Sequence, residues 1–587
     1  INSEGHRMKH VKCYRPGYPR PQLVRGRWES LDGLWDFLQT DSAATSEWAG
    51  GFVSEAKIRV PFAVEAPLSG IGDAHPARYL WYCRRVQLSD RRAVLHFEGS
   101  DRVTDVWLNG EYVGGHTGGY ARFSFRLHEF AKEGENVLAV RVCDDDSREH
   151  PRGKQRWLQE NFLCWYEQTS GIYKSVWLET VPETYVESLR VTPSAERGEV
   201  RVEVRPDRFG PGLRAEVVAE YGGTVAASAG IDLNCPPSEA MQEEPRCAVL
   251  SLGTEHLWSA EHPALYDLTV RLKKDGAVVD EVGSYCALRD VACVGQDILV
   301  NGEKIYLKMV LDQGYWEDGH LTPPDEAALL YDLQYAKDAG FNGVRKHQKT
   351  EDERFYYLAD VLGMYVWCEM PSMYAFNERS RHWFVREWTQ VQAQFYNHPS
   401  IMAWVPLNES WGVWNVRSDR EEQAFASAVY RLTKAGDATR PAVGNDGWEH
   451  TDTDILTIHI YEQDGARLRE GYKTLREAAE GSVLQARRPF AEGYVYGGQP
   501  IVFSEFGGTA LRVDEVGGAW GYGNGVSGAD ALRAKADELI SAVKSFDYAS
   551  GYCYTQLTDV QQEVNGLLRA DRTPKIAAQD MKKINDR

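Results

Sequence analysis

The 587-residue chain contains no apolar run of the roughly 18–20 residues that a membrane-spanning helix needs. It also contains no CxxC pair, no Cys/His cluster with metal-ligand spacing, and no glycine-rich nucleotide-binding loop. The first ten residues lack the long apolar segment of a secretory leader. These absences argue against a membrane protein, a zinc protein and a nucleotide-dependent enzyme. We therefore assign no cofactor and no metal site.

Positive charge is also scarce, because the chain has 66 Lys and Arg residues but 86 Asp and Glu residues, which gives a net charge of −20. An acidic surface is a poor match for nucleic acid or an anionic membrane, so we expect neither as a partner. The ten cysteines are scattered, and several, such as Cys83 and Cys368, lie in apolar runs. We interpret them as buried thiols of a cytoplasmic protein. A homo-oligomer is compatible with the sequence.

The pattern of strands and turns predicts two successive β-sandwiches. Residues 1–182 contain short β-branched and aromatic runs, and the Asn109-Gly110 pair between two of them is typical of a type I′ hairpin. This stretch is predicted to be a jelly-roll sandwich of the sugar-binding type. Residues 183–292 alternate apolar and polar side chains, which predicts a smaller, immunoglobulin-like sandwich.

Residues 293–587 alternate strand-like runs with helical segments, which predicts a C-terminal (β/α)8 TIM barrel. The predicted strands are 305–310, 343–346, 364–367, 401–405, 442–444, 455–458, 501–504 and 551–554. The predicted helices are 325–339, 351–362, 384–396, 421–434 and 529–545. Barrel active sites lie at the carboxyl ends of the strands, so the residues there are the candidates for chemistry.

Two glutamates occupy such positions. Glu409 follows the fourth predicted strand, and Glu505 follows the seventh. Retaining glycoside hydrolysis uses two carboxyl groups about 5–5.5 Å apart, one as a proton donor and the other as a nucleophile. The pair therefore predicts a glycosidase, but spacing alone leaves open which glutamate has which role.

Other side chains follow the remaining strands at the same rim. Arg345 and His347 follow the second strand, Glu369 follows the third, and His459 and Tyr461 follow the sixth. Further candidates to line the site are Asp312, Tyr315, Trp411, Trp414, Asn445, Asp446 and Trp448. Each also has a structural alternative, such as packing for a tryptophan or capping for an aspartate. An arginine at a strand end is expected to pair with a carboxylate.

Several motifs resemble those of glycoside hydrolase family 2, which includes β-galactosidases, β-glucuronidases and β-mannosidases. Residues 107–110 (WLNG), 113–114 (VG) and 116–120 (HTGGY) resemble the sandwich signature of that family. Residues 170–177 (SGIYKSVW) resemble its second signature. The resemblance spans nearly the whole chain and implies a sandwich, a second sandwich and a catalytic barrel.

The resemblance also assigns roles. The Asn408-Glu409 pair resembles the acid/base motif, and residues 504–507 (SEFG) resemble the nucleophile motif. Glu409 is thereby the expected acid/base and Glu505 the expected nucleophile. Asn408 is expected to bind the sugar 2-hydroxyl, and Arg345 is expected to hold Glu505 ionised. His459 or Tyr461 is expected to orient Glu505.

The substrate is less well defined, because the chain departs from family patterns at specificity positions. Gln348 stands where a histidine is usual, and Trp165 stands where the galactosidase and glucuronidase types carry an aspartate. The last strand is followed by Gln556 and its neighbours without a tryptophan, and Asn565 lacks the lysine that glucuronidases place two residues later. The tryptophan-rich motif of β-mannosidases is absent.

The residues after Glu409 are closest in character to β-galactosidases, so an exo-acting β-D-galactosidase is the leading expectation. Lys346, Lys349 and His347 keep a β-glucuronide or β-galacturonide open as an alternative. An α-L-arabinofuranoside would suit the same retaining chemistry. A non-catalytic carbohydrate-binding protein is the distant alternative, suggested by the departures at the substrate site.

Overall fold

The computed structural model describes residues 8–235, 247–511 and 518–587. The first seven residues, on which the expectation about a leader partly rests, lie outside these ranges. No helix in the described ranges is long and apolar enough to cross a membrane. Likewise, no disulfide joins two cysteines of the described chain.

The first region is a β-sandwich of a four-stranded and a six-stranded sheet. Its strands are β1 (Trp28–Ser30), β2 (Gly33–Thr40), β3 (Lys57–Val60), β4 (Tyr79–Leu88), β5 (Ala93–Phe97), β6 (Ser100–Asp101), β7 (Val103–Leu108), β8 (Glu111–Thr117), β9 (Phe123–Arg126), β10 (Gly134–Cys143), β11 (Gly171–Ile172) and β12 (Val176–Thr180). A short 3-10 helix covers Pro67–Ser69. The turn between β7 and β8 has positive φ at Asn109 and Gly110, as the type I′ prediction requires.

The second region is a smaller sandwich of a three-stranded and a four-stranded sheet. Its strands are β13 (Val186–Ser194), β14 (Glu199–Pro206), β15 (Leu213–Tyr221), β16 (Thr224–Asp232), β17 (Ala248–Ser251), β18 (Tyr266–Lys274) and β19 (Ala277–Cys286). Buried and exposed residues alternate along β14, because one face of each sheet covers the core. The core of this sandwich is separate from that of the first.

The third region is a barrel. A small antiparallel sheet of β20 (Val291–Val294), β21 (Asp297–Val300) and β22 (Glu303–Ile305) precedes it. The barrel strands are β23 (Leu307–Asp312), β24 (Gly343–Lys346), β25 (Tyr365–Glu369), β26 (Ile401–Val405), β27 (Leu456–Ile460), β28 (Ile501–Gly507) and β31 (Ala549–Thr555). They form one parallel sheet in the order β26-β25-β24-β23-β31-β28-β27. A two-stranded pair, β29 (Thr509–Leu511) and β30 (Tyr522–Val526), follows β28.

Helices alternate with these strands and cover the outside of the barrel. They are α1 (Glu326–Asp338), α2 (Glu353–Leu362), α3 (Glu378–Phe395), α4 (Arg420–Gly436), α5 (Gly465–Gly471), α6 (Leu475–Glu480), α7 (Ala529–Lys544) and α8 (Ala578–Asp586). Several begin at side chains that accept hydrogen bonds from free backbone N–H groups. Asn377 and Ser380 form a capping box, so α3 begins at Glu378, six residues before the predicted start.

One predicted strand differs from the structure. Residues 442–444 do not form a regular strand, although Ala442 pairs with Trp404 in an isolated parallel bridge. The reason is that side chains take up the backbone donors of this segment. Asp454 accepts from the Ala442 N–H, and Thr453 accepts from the Gly444 N–H. The segment thus lies in the barrel position expected for the fifth strand, but it is joined to β26 by a single bridge and not by a continuous row of backbone hydrogen bonds.

A long connection of the first sandwich reaches the rim of the barrel. It runs from the end of β10 to the start of β11. Arg152 and Gly153 donate backbone hydrogen bonds to the Ser372 carbonyl, after β25. Tyr374 donates its hydroxyl back to the Gly153 carbonyl. The sandwich therefore contributes side chains to the same end of the barrel as the strand termini.

Candidate active site

The fold brings Glu409 and Glu505 together. His459 Nδ1 lies 2.8 Å from Glu409 Oε1 and 3.5 Å from Glu505 Oε2. One oxygen of each glutamate and one nitrogen of His459 all lie within 4.8 Å of one another. Such a group is compact enough to hold a metal ion. However, a carboxylate pair at this distance also meets the requirement for retaining hydrolysis, which is about 5–5.5 Å.

Glu505 lies among groups that stabilise a carboxylate. Arg345 Nη1 donates to its Oε1 at 2.8 Å, and Tyr461 donates its hydroxyl to Oε2 at 2.6 Å. Burial alone would raise the pKa of Glu505. The charges of His459 and Arg345 outweigh burial and hold that pKa below its usual range. Glu505 is thus ionised at neutral pH, as an attacking carboxylate must be.

Glu409 has the opposite setting. It follows β26 on a turn where Glu409 and Ser410 both have positive φ, a conformation that costs energy for residues other than glycine. The turn is held by two hydrogen bonds, from Glu409 N to the Asp446 carbonyl and from Ser410 N to Asn445 Oδ1. Burial and the nearby charge of Glu505 raise the pKa of Glu409. A raised pKa suits a group that must donate a proton.

His459 links the two glutamates to Asp446. It lies beside Glu505 in the parallel ladder of β27 and β28. Its Nε2 is 2.9 Å from Asp446 Oδ2, opposite the contact with Glu409. Burial would lower the pKa of His459, but Glu505 and Asp446 raise it to about 10. The imidazolium therefore donates to both partners.

Arg345 is fully buried and connects the rest of the site. It donates two hydrogen bonds to Glu369 Oε2, at 2.7 and 2.9 Å, and one to Asn408 Oδ1 at 2.7 Å. It also forms ion pairs with Glu505 and Asp446, both at 2.8 Å. Glu369 is thus held by Arg345 rather than left for a ligand.

Gln348 and His347 complete the surroundings of Arg345. Gln348 donates to Glu369 Oε1 through its backbone and side chain, at 3.0 and 2.8 Å. Arg345 donates to His347 Nδ1 at 3.1 Å. Burial, Lys154 and Arg345 keep the pKa of His347 well below its usual value, so the ring is neutral and accepts this bond. The glutamine thus holds Glu369 in place.

Asn408, a further hydrogen-bond partner of Arg345, has an amide donor without an acceptor among the described residues. Its Oδ1 accepts from Arg345, whereas its Nδ2 is buried and has no hydrogen-bond partner in the described chain. A buried, unpaired amide donor is costly, so a ligand oxygen here would be stabilising. This arrangement is compatible with the expected contact to a sugar hydroxyl.

Aromatic side chains form a wall beside the pair. Trp165, from the connection of the first sandwich, lies 5.5 Å from Trp411 between ring centroids. Both are buried and pack on Tyr374. Trp448 instead packs under the Arg487 guanidinium, which lies 4.4 Å from its ring centroid. Trp165 and Trp411 therefore share one surface, which Trp448 does not join.

The structure holds Asp312 in a separate ion-pair cluster. Asp312 accepts from Lys346 Nζ at 2.8 Å and from the Gly314 N–H at 2.8 Å. Lys346 and Lys349 each lie 2.8 Å from Glu351. These lysines, which the sequence offers for a uronate, are thus each bonded to two oxygens of the protein.

Gln556 belongs to a buried polar cluster at the end of β31. It accepts from Gln313 Nε2 at 2.7 Å and donates to Asn565 Oδ1 at 2.6 Å. Asn565 in turn donates to Glu563 Oε1 at 2.9 Å, and Tyr166 donates to the other oxygen of Glu563. Sequence reasoning missed Gln313, Glu563 and Tyr166, because none belongs to a recognisable motif.

Lys154 is another residue that sequence reasoning missed. It is 6% exposed, and its ammonium lies near the charges of Glu505, Glu409 and Glu563. The available signal was the irregular segment between β10 and β11, since long connections of this kind are usually functional. A charged residue in a Pro/Gly-containing part of that segment would have been a candidate.

Two sandwiches followed by a parallel barrel with paired glutamates define a multidomain carbohydrate-active fold, and three family models match it in order. The glycosyl hydrolases family 2 sugar binding domain matches residues 28–182, the glycosyl hydrolases family 2 model matches residues 184–289, and the family's TIM barrel domain matches residues 291–587. The chain belongs to glycosyl hydrolase family 2. The resemblance and the fold class expected from the sequence are thereby confirmed.

Curated relatives carry two kinds of name. A β-glucuronidase of Canis lupus familiaris is 23% identical over 556 residues, covering 84% of this chain and 79% of that protein. A β-galactosidase of Thermoanaerobacter pseudethanolicus is 26% identical over 410 residues, covering 66% of this chain and 51% of that protein. One of Alteromonas mediterranea is 26% identical, covering 68% and 38%. The chain thus spans about half or less of the length of these β-galactosidases.

Solved structures share the whole architecture. A β-glucuronidase from Ruminococcus gnavus has a TM-score of 0.77 at 18% identity and covers 98% of this chain and 99% of its own. A β-galacturonidase from Eisenbergiella tayi, bound to galacturonate, has a TM-score of 0.73 at 22% identity and covers 98% and 99%. At these identities, the likeness shows the fold.

Proposed function

We propose that the protein is a retaining exo-β-glycosidase, with Glu505 as nucleophile and Glu409 as acid/base. The observation that carries the proposal is the pair itself. The two carboxyl groups are close enough for a double displacement, and their surroundings shift their pKa values in opposite directions. Their side chains are only 15% and 6% exposed, which favours a pocket for a chain end over an open cleft.

In the first step, a Glu505 oxygen attacks the anomeric carbon while the bond from that carbon to the leaving oxygen breaks. Glu409 gives its proton to the leaving oxygen. The product is a covalent glycosyl-enzyme and a free aglycone. Arg345 and Tyr461 keep Glu505 ionised and fix its orientation.

In the second step, water attacks the anomeric carbon and Glu409 takes a proton from it. The bond to Glu505 breaks, so both carboxyl groups return to their starting states. Asn408 Nδ2 is in a position to donate to a sugar hydroxyl during both steps. His459 positions Glu409 through its Nδ1–H.

The terminal sugar is a β-galactoside or a β-uronide. Similar proteins are named β-galactosidase, β-glucuronidase and β-galacturonidase. The residues after Glu409 support the galactoside. An α-L-arabinofuranoside would suit the same displacement, but no contact of the described site favours it. A non-catalytic binding protein would not need the opposed pKa shifts of the two glutamates, so the pair weighs against that alternative.

The test is a panel of p-nitrophenyl glycosides that includes the β-galactoside, β-glucuronide, β-galacturonide and α-L-arabinofuranoside. Wild type and Glu505→Gln would be compared. We expect one clear substrate, a loss of turnover in the variant, and a product whose anomeric configuration is retained by NMR. Inverted product, or equal turnover in the variant, would contradict the proposal.

A further inference from the structure

Resting on the proposed glycosidase function, we propose that Lys154 binds the carboxylate of a terminal hexuronic acid, so that the substrate class is a β-hexuronide. Lys154 belongs to the first sandwich and not to the barrel. The inference rests on its fixed backbone, its unsatisfied ammonium and the protein partners that the other cations named in the described site already have.

The backbone at Lys154 is fixed on both sides. Tyr166 N donates to the Lys154 carbonyl at 2.8 Å, and Arg152 N donates to the Ser372 carbonyl at 2.8 Å. Gly153 has a φ of +59°, and a Cβ there would lie 2.3 Å from the Gln348 carbonyl oxygen. The connection is thus packed directly against the barrel rim, and these contacts fix the backbone position of Lys154 before any ligand binds.

The Lys154 side chain is largely buried, and no oxygen of residues 8–235, 247–511 and 518–587 accepts a hydrogen bond from its ammonium. The Cys164 thiol close to it is a weak acceptor. The rings of Trp411 and Tyr166 lie 5.2 and 5.9 Å from its nitrogen. An ammonium has three donors, and leaving them unpaired in a buried place is costly. A ligand oxygen would relieve that cost.

Other buried lysines of the barrel have oxygen acceptors for their ammonium groups. Lys346 lies 2.8 Å from both Asp312 and Glu351. Lys349 donates to the Gly314 carbonyl and to Glu351, both at 2.8 Å. Each of these side chains thus has at least two oxygen acceptors from the protein, whereas Lys154 has none in the described chain.

The nearby carboxylates are committed to other groups. Glu505 is bonded to Arg345 and Tyr461, and Glu409 is bonded to His459. Glu563 accepts from Tyr166 and Asn565. These negative charges surround the ammonium at a distance and favour its charged form. They do not take up its donors, so a carboxylate on the substrate is the partner that fits.

The other cations named in the described site already have partners within the protein, including the charged His459, which is bonded to Glu409 and Asp446. Lys346 and Lys349 are engaged as described, and Arg345 is shared by three carboxylates. Arg156, on the same connection, donates to Asn161 Oδ1 at 2.9 Å and to the Ala74 carbonyl at 3.0 Å. A hexuronide differs from the matching hexoside by a carboxylate in place of a hydroxymethyl group, and an ammonium distinguishes the two strongly.

The experiment compares p-nitrophenyl β-glucuronide and β-galacturonide, the methyl ester of each, and β-galactoside. The proteins are wild type, Lys154→Met, Lys154→Arg, and Lys132→Met as an exposed control from the same sandwich. Thermal unfolding would check that each variant is folded. We expect wild type to prefer one uronide over its ester and over the galactoside by at least about 100-fold in kcat/KM.

Lys154→Met should abolish that preference, mostly through KM, and leave turnover of the ester within about tenfold. Lys154→Arg should restore part of the preference, and Lys132→Met should resemble wild type. A wild type that prefers the galactoside, or equal losses on acid and ester in Lys154→Met, would overturn the inference. The glycosidase proposal would survive either result.

If wild type hydrolyses none of these substrates, calorimetric titration of Glu505→Gln with glucuronate and galacturonate decides the matter. Binding that is lost in the double variant with Lys154→Met would support the carboxylate site even though the glycosidase proposal had failed on this panel. Absence of binding by either uronate would reject the Lys154 site.

Discussion

The surroundings of Glu505 and Glu409 differ although the two side chains are chemically identical. Glu505 lies against Arg345, Tyr461 and His459, and these groups lower its pKa. Glu409 has His459 as its close partner, and burial together with Glu505 raises its pKa. The barrel thus shifts the pKa values of one residue type in opposite directions through the cations and donors that it places around each carboxylate.

The largest effect is expected for Glu505→Gln. The amide cannot attack the anomeric carbon, so kcat should fall by about 10⁴-fold or more. Steady-state rates on the best substrate of the panel would measure this. Asp537→Asn, at a partly exposed position in the middle of α7, is a matched carboxylate-to-amide control that should keep its activity. A loss of less than tenfold in Glu505→Gln would show that another group is the nucleophile.

A somewhat smaller loss is expected for Glu409→Gln, because general acid–base catalysis contributes about 10²–10⁴-fold. The loss should shrink when the leaving group is a good one, such as dinitrophenolate, since that group departs without a proton. Rates on a series of aryl glycosides would show this. If the loss were the same for poor and good leaving groups, Glu409 would not be the proton donor.

Removing the cation that three carboxylates share should affect stability as well as activity. Arg345→Met leaves Glu369 buried without its counterion and leaves Asp446 and Glu505 with His459 as their remaining cation, and breaking a buried ion pair of this kind costs about 3–5 kcal/mol. We expect a lower midpoint of urea unfolding and weak activity. An unchanged midpoint would contradict the ion-pair geometry.

His459→Gln should shift the pH profile of kcat/KM. The pKa of His459 is about 10, so the ring is charged at neutral pH and lowers the pKa values of both glutamates. Without this charge, both pKa values rise. The acidic limb, where Glu505 must be ionised, and the basic limb, where Glu409 must be protonated, should therefore both move to higher pH. We also expect a rate loss of about 10–100-fold at the optimum. Limbs that stay in place would mean that the ring is neutral.

The smallest effect is expected for Tyr461→Phe. This change removes one hydrogen bond to Glu505 and leaves Arg345 and His459 in place. A bond to a charged group is worth about 1.5–3 kcal/mol, and because two cations still hold Glu505 ionised we expect the lower end of this range, a fall in kcat of roughly tenfold. The acidic limb alone should move to higher pH, which distinguishes this variant from His459→Gln.

Much of the fold could be predicted because local signals and side-chain periodicity agree with it. The Asn109-Gly110 turn and the strands Gly343–Lys346 and Ile401–Val405 lie where the pattern places them. The strand predicted at 442–444 is different, because Asp454 and Thr453 compete for its backbone donors. Such competition depends on residues nine and twelve positions away, so the local pattern of apolar residues does not reveal it.

The sequence by itself determined the family, the order of the domains, and the presence of two glutamates at the ends of parallel strands. These features follow from motifs and from the periodicity of short segments. The tertiary structure alone decided which charges surround each glutamate. It directed Lys346 and Lys349 to Glu351 and left Lys154, whose ammonium lies over the Trp411 ring, without an oxygen acceptor in the described chain. The physical reason is that the pKa and availability of a side chain depend on neighbours brought together by packing, which sequence spacing does not record.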